Sequence, residues 1–406
     1  LNKKLVIIGS VWPEPQSTAA GSRMLQLISL FRGMGFSISF LCTAHRNEYS
    51  SNLEDWDIEE TSIDLNSDTF DKLIRSLDPS IVMFDRFMIE EQFGWRVVEN
   101  CPNAIRILDT EDLHFLRKAR QVAYNQSRTL EYEDYINEIF LREMASIYRC
   151  DLSVIISEYE YSLLIETFRV DKEVLFYLPF VIDSEVTSIL PPFEKRQNFV
   201  SIGNFLHEPN WQTVLILNKL WPSIKAKLPM AELHIYGAYT PPKAYQLHNE
   251  KQGFVIKGRA ENVRDVMTQY RVLLSPIPFG AGLKGKLLES MLYGLPNVTT
   301  AIGAEGMTYD DIWNGSICEL PDFAKQSVNL YSHQEMWNKA QKNGYIILKN
   351  KFSKDLFANN FAETIDYLMS NLKKHRSIHF LGQILLQEAF MSKKYMSKWI
   401  EEKNKG

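Results

Sequence analysis

The chain has 406 residues, 45% of them hydrophobic and 23% charged, with a formal net charge of −5. Those are ordinary globular values at a length that suits two domains of roughly 150–200 residues each. Cys42, Cys101, Cys150 and Cys318 are widely spaced and form no CxxC pair, which argues against a zinc site or a disulfide framework and suits a reducing cytoplasm.

Over residues 1–183, apolar runs alternate with helical periodicity. Leu5–Ile8, Ser37–Leu41, Ile81–Phe84, Ile105–Leu108 and Leu152–Ile156 are the expected strands. Such alternation predicts an α/β domain with a parallel sheet covered by helices on both faces. The apolar run at Leu5–Ile8 reads as a first strand, and no run approaches the ~18 residues of a membrane span. Between the first two strands, Ser17 to Arg23 form a small-residue turn that opens a helix carrying Met24, Leu27, Ile28 and Phe31. Ligands of open α/β sheets bind at the C-terminal strand ends. Two such ends carry polar clusters. Asp109-Thr110-Glu111-Asp112-Leu113-His114 gives Asp112 and His114 as candidates for acid–base work. Asp85-Arg86-Phe87, with Glu90 and Glu91 behind it, is a weaker candidate whose plainer reading is an Arg–Glu surface pair.

A polar, proline-containing segment, Pro191 to Gln197, reads as a linker. The expected division is a first domain at 1–183, a linker at 184–197, a second domain at 198–370 and a helical tail at 371–406. The second half repeats the pattern through Phe199–Gly203, Leu233–Tyr236, Phe254–Ile256, Val272–Leu274 and Val298–Thr300. Gly203-Asn204 ends its first strand, and Glu208-Pro209-Asn210-Trp211 opens the helix that follows.

The most informative stretch is PIPFGAGLKGKLLESMLYGLPNVTTAIGAEGM, residues 276–307. A glycine-rich turn with Lys284 and Lys286 precedes a helix whose apolar positions are Leu287, Leu288, Met291 and Leu292. Free backbone N–H groups and the positive dipole end of such a helix suit a diphosphate. Lys286, Glu289 and Tyr293 share another face, where a glutamate one turn below a phosphate-binding lysine can accept hydrogen bonds from a ribose diol.

This stretch resembles the donor-site signature of retaining, GT4-like glycosyltransferases of the GT-B fold. The resemblance covers residues 272–307 closely and the rest of the chain loosely. It implies two Rossmann-like domains facing a cleft, with C-terminal helices crossing back to the first. It also implies a nucleotide-sugar donor, UDP- or GDP-linked, a glycan, lipid-linked or other acceptor, and retention of configuration. By resemblance, Gly21, Gly203, Asn204, Gly282, Lys284, Lys286, Glu289, Glu305 and Gly306 are expected at the donor, with Arg23 also lining the cleft. Asp112, His114 and Lys286 are the expected catalytic set, and Glu111 or Asp112 stands where the family often has a histidine. The signature's first glutamate is replaced by Ala281, a variant that argues for a subgroup. Because lysines can neutralise the leaving diphosphate, activity is expected without a metal or other cofactor.

Competing signals are weaker. Gly280 to Gly285 match GxGxxG, but deep in the second half. Asp109-Thr110-Glu111 mimics a metal-binding DxD, and His375 and His379 lack the glutamate of a zinc hydrolase and read as a solvated helix face. A silent sugar-nucleotide-binding subunit and a GT-B epimerase are the alternative functions. Residues 1–183 carry −12 and the remainder +7, of which +5 lies in residues 371–406. An acidic first domain offers no platform for nucleic acid. The tail, with Phe380, Leu381, Ile384, Leu385, Phe390 and Trp399, is expected to pack on that domain, the alternative being peripheral membrane contact.

Overall fold

The computed structural model describes residues 3–183 and 190–404, with side chains outside 388–393 and 404. Positions 184–189 of the expected linker therefore lie outside the described residues, as do the side chains of Phe390 and Lys393. Two parallel sheets dominate. The first holds β1 (Lys4–Gly9), β2 (Ser37–Cys42), β3 (Glu59–Ser62), β4 (Ile81–Asp85), β5 (Ile105–Asp109), β6 (Leu152–Ile155) and β7 (Leu175–Tyr177), in the order β3-β2-β1-β4-β5-β6-β7. The second holds β8 (Gln197–Ile202), β9 (Leu233–Tyr236), β10 (Phe254–Gly258), β11 (Tyr270–Ser275), β12 (Asn297–Thr299) and β13 (Gly315–Ile317), in the order β10-β9-β8-β11-β12-β13.

Strand periodicity of two explains how one run feeds two cores. Leu5 and Ile7 join Phe40, Met83, Ile107 and Val154 on one face, against the helix Ala19–Gly33. Val6 and Ile8 join Leu41, Phe84, Leu108 and Ile155 on the other, against the helices Phe87–Asn100, His114–Asn125 and Glu138–Arg149. Burial of each such side chain contributes about 1.5–3 kcal/mol. The second sheet repeats this, with Phe199, Val272 and Leu274 on one side and Val200, Leu273 and Leu287 on the other.

Three edge strands escape sequence reading. Glu59–Ser62 is polar and partly exposed, as edges are, while Leu175–Tyr177 and Gly315–Ile317 are only three residues long. The C-terminal helices Ala358–Ile378 and Phe380–Asn404 cross back to the first domain, where Phe361, Ile365 and Leu368 enter the core beside Phe31. Arg376 closes the crossing with both carboxylate oxygens of Asp151, at 2.7 and 2.8 Å, and Lys394 meets Glu99 at 2.8 Å. One ion pair runs with the opposite sign, from Arg96 of the first domain to Glu401. His375 and His379 are not on a solvated face. His375 is buried and donates to the Asp151 carbonyl at 2.9 Å, and His379 lies within 3.4 Å of Asp171 and 3.3 Å of Glu173.

Candidate functional site

Strand order reverses between β1 and β4 in one sheet and between β8 and β11 in the other. Ligands of open α/β sheets bind outside the C-terminal strand ends at such switch points. Both switch points open onto one interdomain cleft of about 680 Å³. Its walls come from the turn after β1 (residues 15–20), the ends of β4 and β5 (Arg86, Glu111, Asp112, His114, Arg117), the turn after β8 (Gly203, Asn204, His207, Asn210) and the segment after β11 (Gly280 to Lys286, with Glu289).

On the second-domain side, Lys286 lies in the first turn of the helix Gly285–Leu292 and donates from Nζ to Asn210 Oδ1 at 2.6 Å. Asn210 in turn donates to the Asn204 carbonyl at 2.9 Å, so the β8 turn orients the lysine. Gly203 makes room for it: a Cβ there would lie 2.8 Å from Lys286 Nζ and 2.7 Å from Asn210 Cγ. Lys284 Nζ donates to the Gly282 carbonyl at 2.7 Å. Burial pushes both ammonium groups down to about 8, opposed by Glu305 for Lys284 and by Glu289 for Lys286. Burial likewise pushes Glu289 up to about 7, against the pull of Lys286. Recessed cations with lowered pKa values beside an acid with a raised one form a site whose charges are poorly hydrated and available to a ligand.

Across the cleft, Glu111 follows β5 with φ +62° and Arg86 follows β4 with φ +74°. Positive φ at two bulky residues on adjacent strand ends is stored strain of the kind found at working sites. Burial first, then the negative charge of Asp109, pushes Glu111 up to about 8, so it is a hydrogen-bond donor near neutrality. Burial also disfavours the Asp112 anion, but Arg117, His114 and His207 outweigh it and hold that carboxyl at about 2. Arg117 bonds Asp112 directly, and His114 Nδ1 lies 3.1 Å from the Asp112 carbonyl. Glu143, fully buried, caps the helix His114–Asn125 by accepting from the backbone N–H groups of His114 and Phe115 at 3.1 and 3.0 Å. Acid and imidazole are thereby fixed side by side.

The structure brings Asp112, His114, Gly203, Asn204, Gly282, Lys284, Lys286 and Glu289 to one cleft. Four expected residues are elsewhere. Gly21 sits behind the β1 turn, where a Cβ would lie 2.5 Å from Glu14 backbone atoms. Arg23 is buried and bound to Asp109 rather than lining the cleft. Glu305 is taken by Arg120 through two bonds of 2.7 Å, and a Cβ at Gly306 would lie 2.8 Å from Ser157 Oγ, so neither lines the cleft. Arg86 pairs with Asp85, while Glu90 and Glu91 bind Arg149 and Arg142, so the expected Arg–Glu surface pair is replaced. Asp109 is fully buried, which removes it from a DxD-type pair, and among the described residues no group of three or more His, Cys, Asp or Glu side chains is arranged for a metal.

Sequence reasoning missed His207 and gave Asn210 no role. His207 opens onto the cleft opposite Asp112, and its surroundings, first by desolvation and then through Arg117, push its pKa down. The HEPN run after a strand-ending glycine was the available signal.

The sequence model of the family described as Glycosyl transferases group 1 matches residues 196–333, the stretch that builds the second sheet. No curated protein matches the chain by sequence. Among solved structures, sucrose-phosphate synthase from Thermosynechococcus elongatus superposes with a TM-score of 0.69 at 13% identity, over 91% of this chain and 99% of that one. HepE from Anabaena, in complex with UDP and glucose, gives 0.65 at 12% identity, over 89% and 99%. A TarM mutant from S. aureus, in complex with fondaparinux, α-GlcNAc-glycerol and UDP, gives 0.57 at 13% over 74% of this chain, which spans 58% of that protein's length. At these identities the likeness is one of fold. It identifies the architecture as GT-B, with the family match confined to the second domain.

Proposed function

We propose that this GT-B chain transfers a sugar from a nucleotide-sugar donor to a glycan, lipid-linked or other acceptor, with retention and without a metal. One observation carries the reading: Lys286, Lys284 and Glu289 on the second domain face Glu111, Asp112 and His114 on the first across a single cleft at both switch points. Breaking a sugar–diphosphate bond builds negative charge on phosphate oxygens, so cations fixed before the reaction stabilise the transition state more than the ground state. Lys286, held by Asn210, is such a cation, and the start of the helix Gly285–Leu292 adds its dipole. Glu289, lining the same cleft one turn on from Lys286, serves in this reading as the acceptor for a ribose diol. On the acceptor side the Asp112–His114 pair supplies hydrogen-bond acceptors for a sugar hydroxyl, and His207 faces it from the second domain. The neighbour HepE was solved with UDP and glucose, which makes uridine donors the first to try.

A panel of nucleotide sugars in EDTA, read by thermal stabilisation together with slow donor hydrolysis, tests this directly. Stabilisation and hydrolysis by one donor are expected. A protein that responds to no donor would remove the reading, and stabilisation without turnover of donor or acceptor would leave a binding subunit in its place.

The pKa values give a further expectation. Glu289, at about 7, must be ionised to accept from a diol, while Lys284 and Lys286, at about 8, must be protonated to meet a diphosphate. Affinity for UDP should rise as pH passes through about 7 and fall as it passes above about 8. Binding above pH 8 should take up protons. Calorimetric titration between pH 5.5 and 9.5, in buffers of different ionisation enthalpy, measures both, and an affinity flat across that range would contradict the assignment.

A further inference from the structure

The donor-side turn is shaped by the other domain. Its Gly280 carbonyl accepts from Arg120 at 2.8 Å, and its Gly282 N–H donates to Glu160 Oε1 at 2.8 Å. Arg120 and Glu160 both belong to the first domain, on the helices His114–Asn125 and Glu158–Ser162. The same Glu160 oxygen accepts from the backbone N–H of Leu113 at 3.0 Å, and Leu113 lies between Asp112 and His114. One carboxylate oxygen therefore joins the acceptor-side segment to the donor-side turn. Gly282 shows how close that join is: with φ +62°, a Cβ on it would lie 2.8 Å from Asp112 Cβ and 3.4 Å from the Glu111 carbonyl. Arg120 is anchored on the second domain by its paired bonds to Glu305 and lies over the Tyr159 ring at 5.0 Å.

We infer that Glu160 and Arg120 are positioning residues that hold the donor-side turn and the acceptor-side segment in one register. Neither lines the cleft, so neither reaches a substrate, and both act through the backbone of residues 280–282. Glu160 is fully buried with Oε2 unpartnered, a costly arrangement whose return is the pair of N–H bonds at Oε1. Burial, then the negative charge of Asp112, pushes its carboxyl up to about 8, so a neutral amide of the same shape is a close substitute. What the register serves rests on the transfer reading above. The join itself is a property of the free protein.

The test uses Glu160→Ala, Arg120→Ala, their double variant, Glu160→Gln, and Lys351→Ala as a control. Lys351 makes another contact between the domains, with the exposed Glu158 at 2.7 Å, away from the turn. Solution X-ray scattering of the free proteins should show a larger radius of gyration for Glu160→Ala and Arg120→Ala and none for Lys351→Ala. Titration with UDP should show affinity lowered about tenfold in both alanine variants, with near-native affinity for Glu160→Gln. The double variant should be little worse than either single one, because both release the same turn. A role in folding alone would lower the melting temperature and leave UDP affinity untouched at lower temperature. Unchanged scattering together with unchanged UDP affinity overturns the inference. Should Glu160→Ala fail to fold, Arg120→Lys, which keeps the charge and loses the paired geometry, carries the same readouts. A native protein that ignores UDP would remove the transfer reading, while the scattering comparison would still decide the coupling.

Discussion

Lys286→Ala is expected to lower turnover at saturating donor by about 10²–10³-fold, the cost of removing one preorganised group that meets developing charge. Lys286 is not a loose surface cation. Its Nζ is held at 2.6 Å by Asn210 and passes so near Gly203 that a Cβ there would lie 2.8 Å away. That tightness also predicts that Lys286→Arg fails to restore activity, since a planar guanidinium needs more width than the ammonium. Folding offers a control. Burial already pushes the Lys286 pKa down to about 8, so its charge costs stability in the free protein, and the alanine variant should melt no lower than the native chain. Steady-state kinetics with saturating donor, paired with a melting curve, separates the two effects. Normal turnover in a folded Lys286→Ala protein would take away the basis of the proposed function.

What the sequence made legible was whatever local chemistry dictates. Val272-Leu273-Leu274, a short apolar run stopped by Pro276 and Pro278, reads as a covered strand, and the glycines and lysines after it read as the start of a helix. The face shared by Lys286 and Glu289 followed from helical spacing alone. What it hid was long-range pairing. Arg23 reads as a cleft-lining residue until Asp109, 86 positions away, is seen against it, and Glu305 reads as a donor-site acid until Arg120 claims it from 185 positions off. His375 and His379 look solvated for the same reason, since Asp151, Asp171 and Glu173 come from other elements. The glycines mark the boundary. A strand-ending glycine signals that something approaches, but only the fold says that Lys286 approaches Gly203 and that Asp112 approaches Gly282.

Arg23→Ala is expected to destabilise the protein by about 3–5 kcal/mol, because it removes one partner of a buried ion pair and leaves the other. At roughly 2–4 °C per kcal/mol for a domain of this size, the melting temperature should fall by about 10 °C. Arg23 and Asp109 are 1% and 0% exposed, with Nε and Nη2 at 3.0 and 2.9 Å from one Asp109 oxygen and Nη1 at 2.9 Å from the Leu178 carbonyl. The arginine thus ties the helix Ala19–Gly33 to the end of β5 and to the chain leaving the first domain. Burial pushes the Asp109 pKa up, Arg23 opposes it, and Asp85 adds to it. Without Arg23 that rise grows, so the folded variant holds a proton that the unfolded chain releases near pH 4. Stability then falls as pH climbs from the unfolded value through the raised folded one. The deficit against the native protein should be smallest near pH 4 and grow as pH rises, and denaturation curves from pH 4 to 8 measure it. Arg23→Ala combined with Asp109→Asn should recover part of the loss, since the orphaned charge is gone. A deficit independent of pH would mean that the cost lies in the Leu178 bond and the packing of the side chain rather than in the charge of Asp109. The turn at residues 15–20, which lines the cleft, leads into the same helix, so the geometry of the site depends on a pair that never touches a ligand.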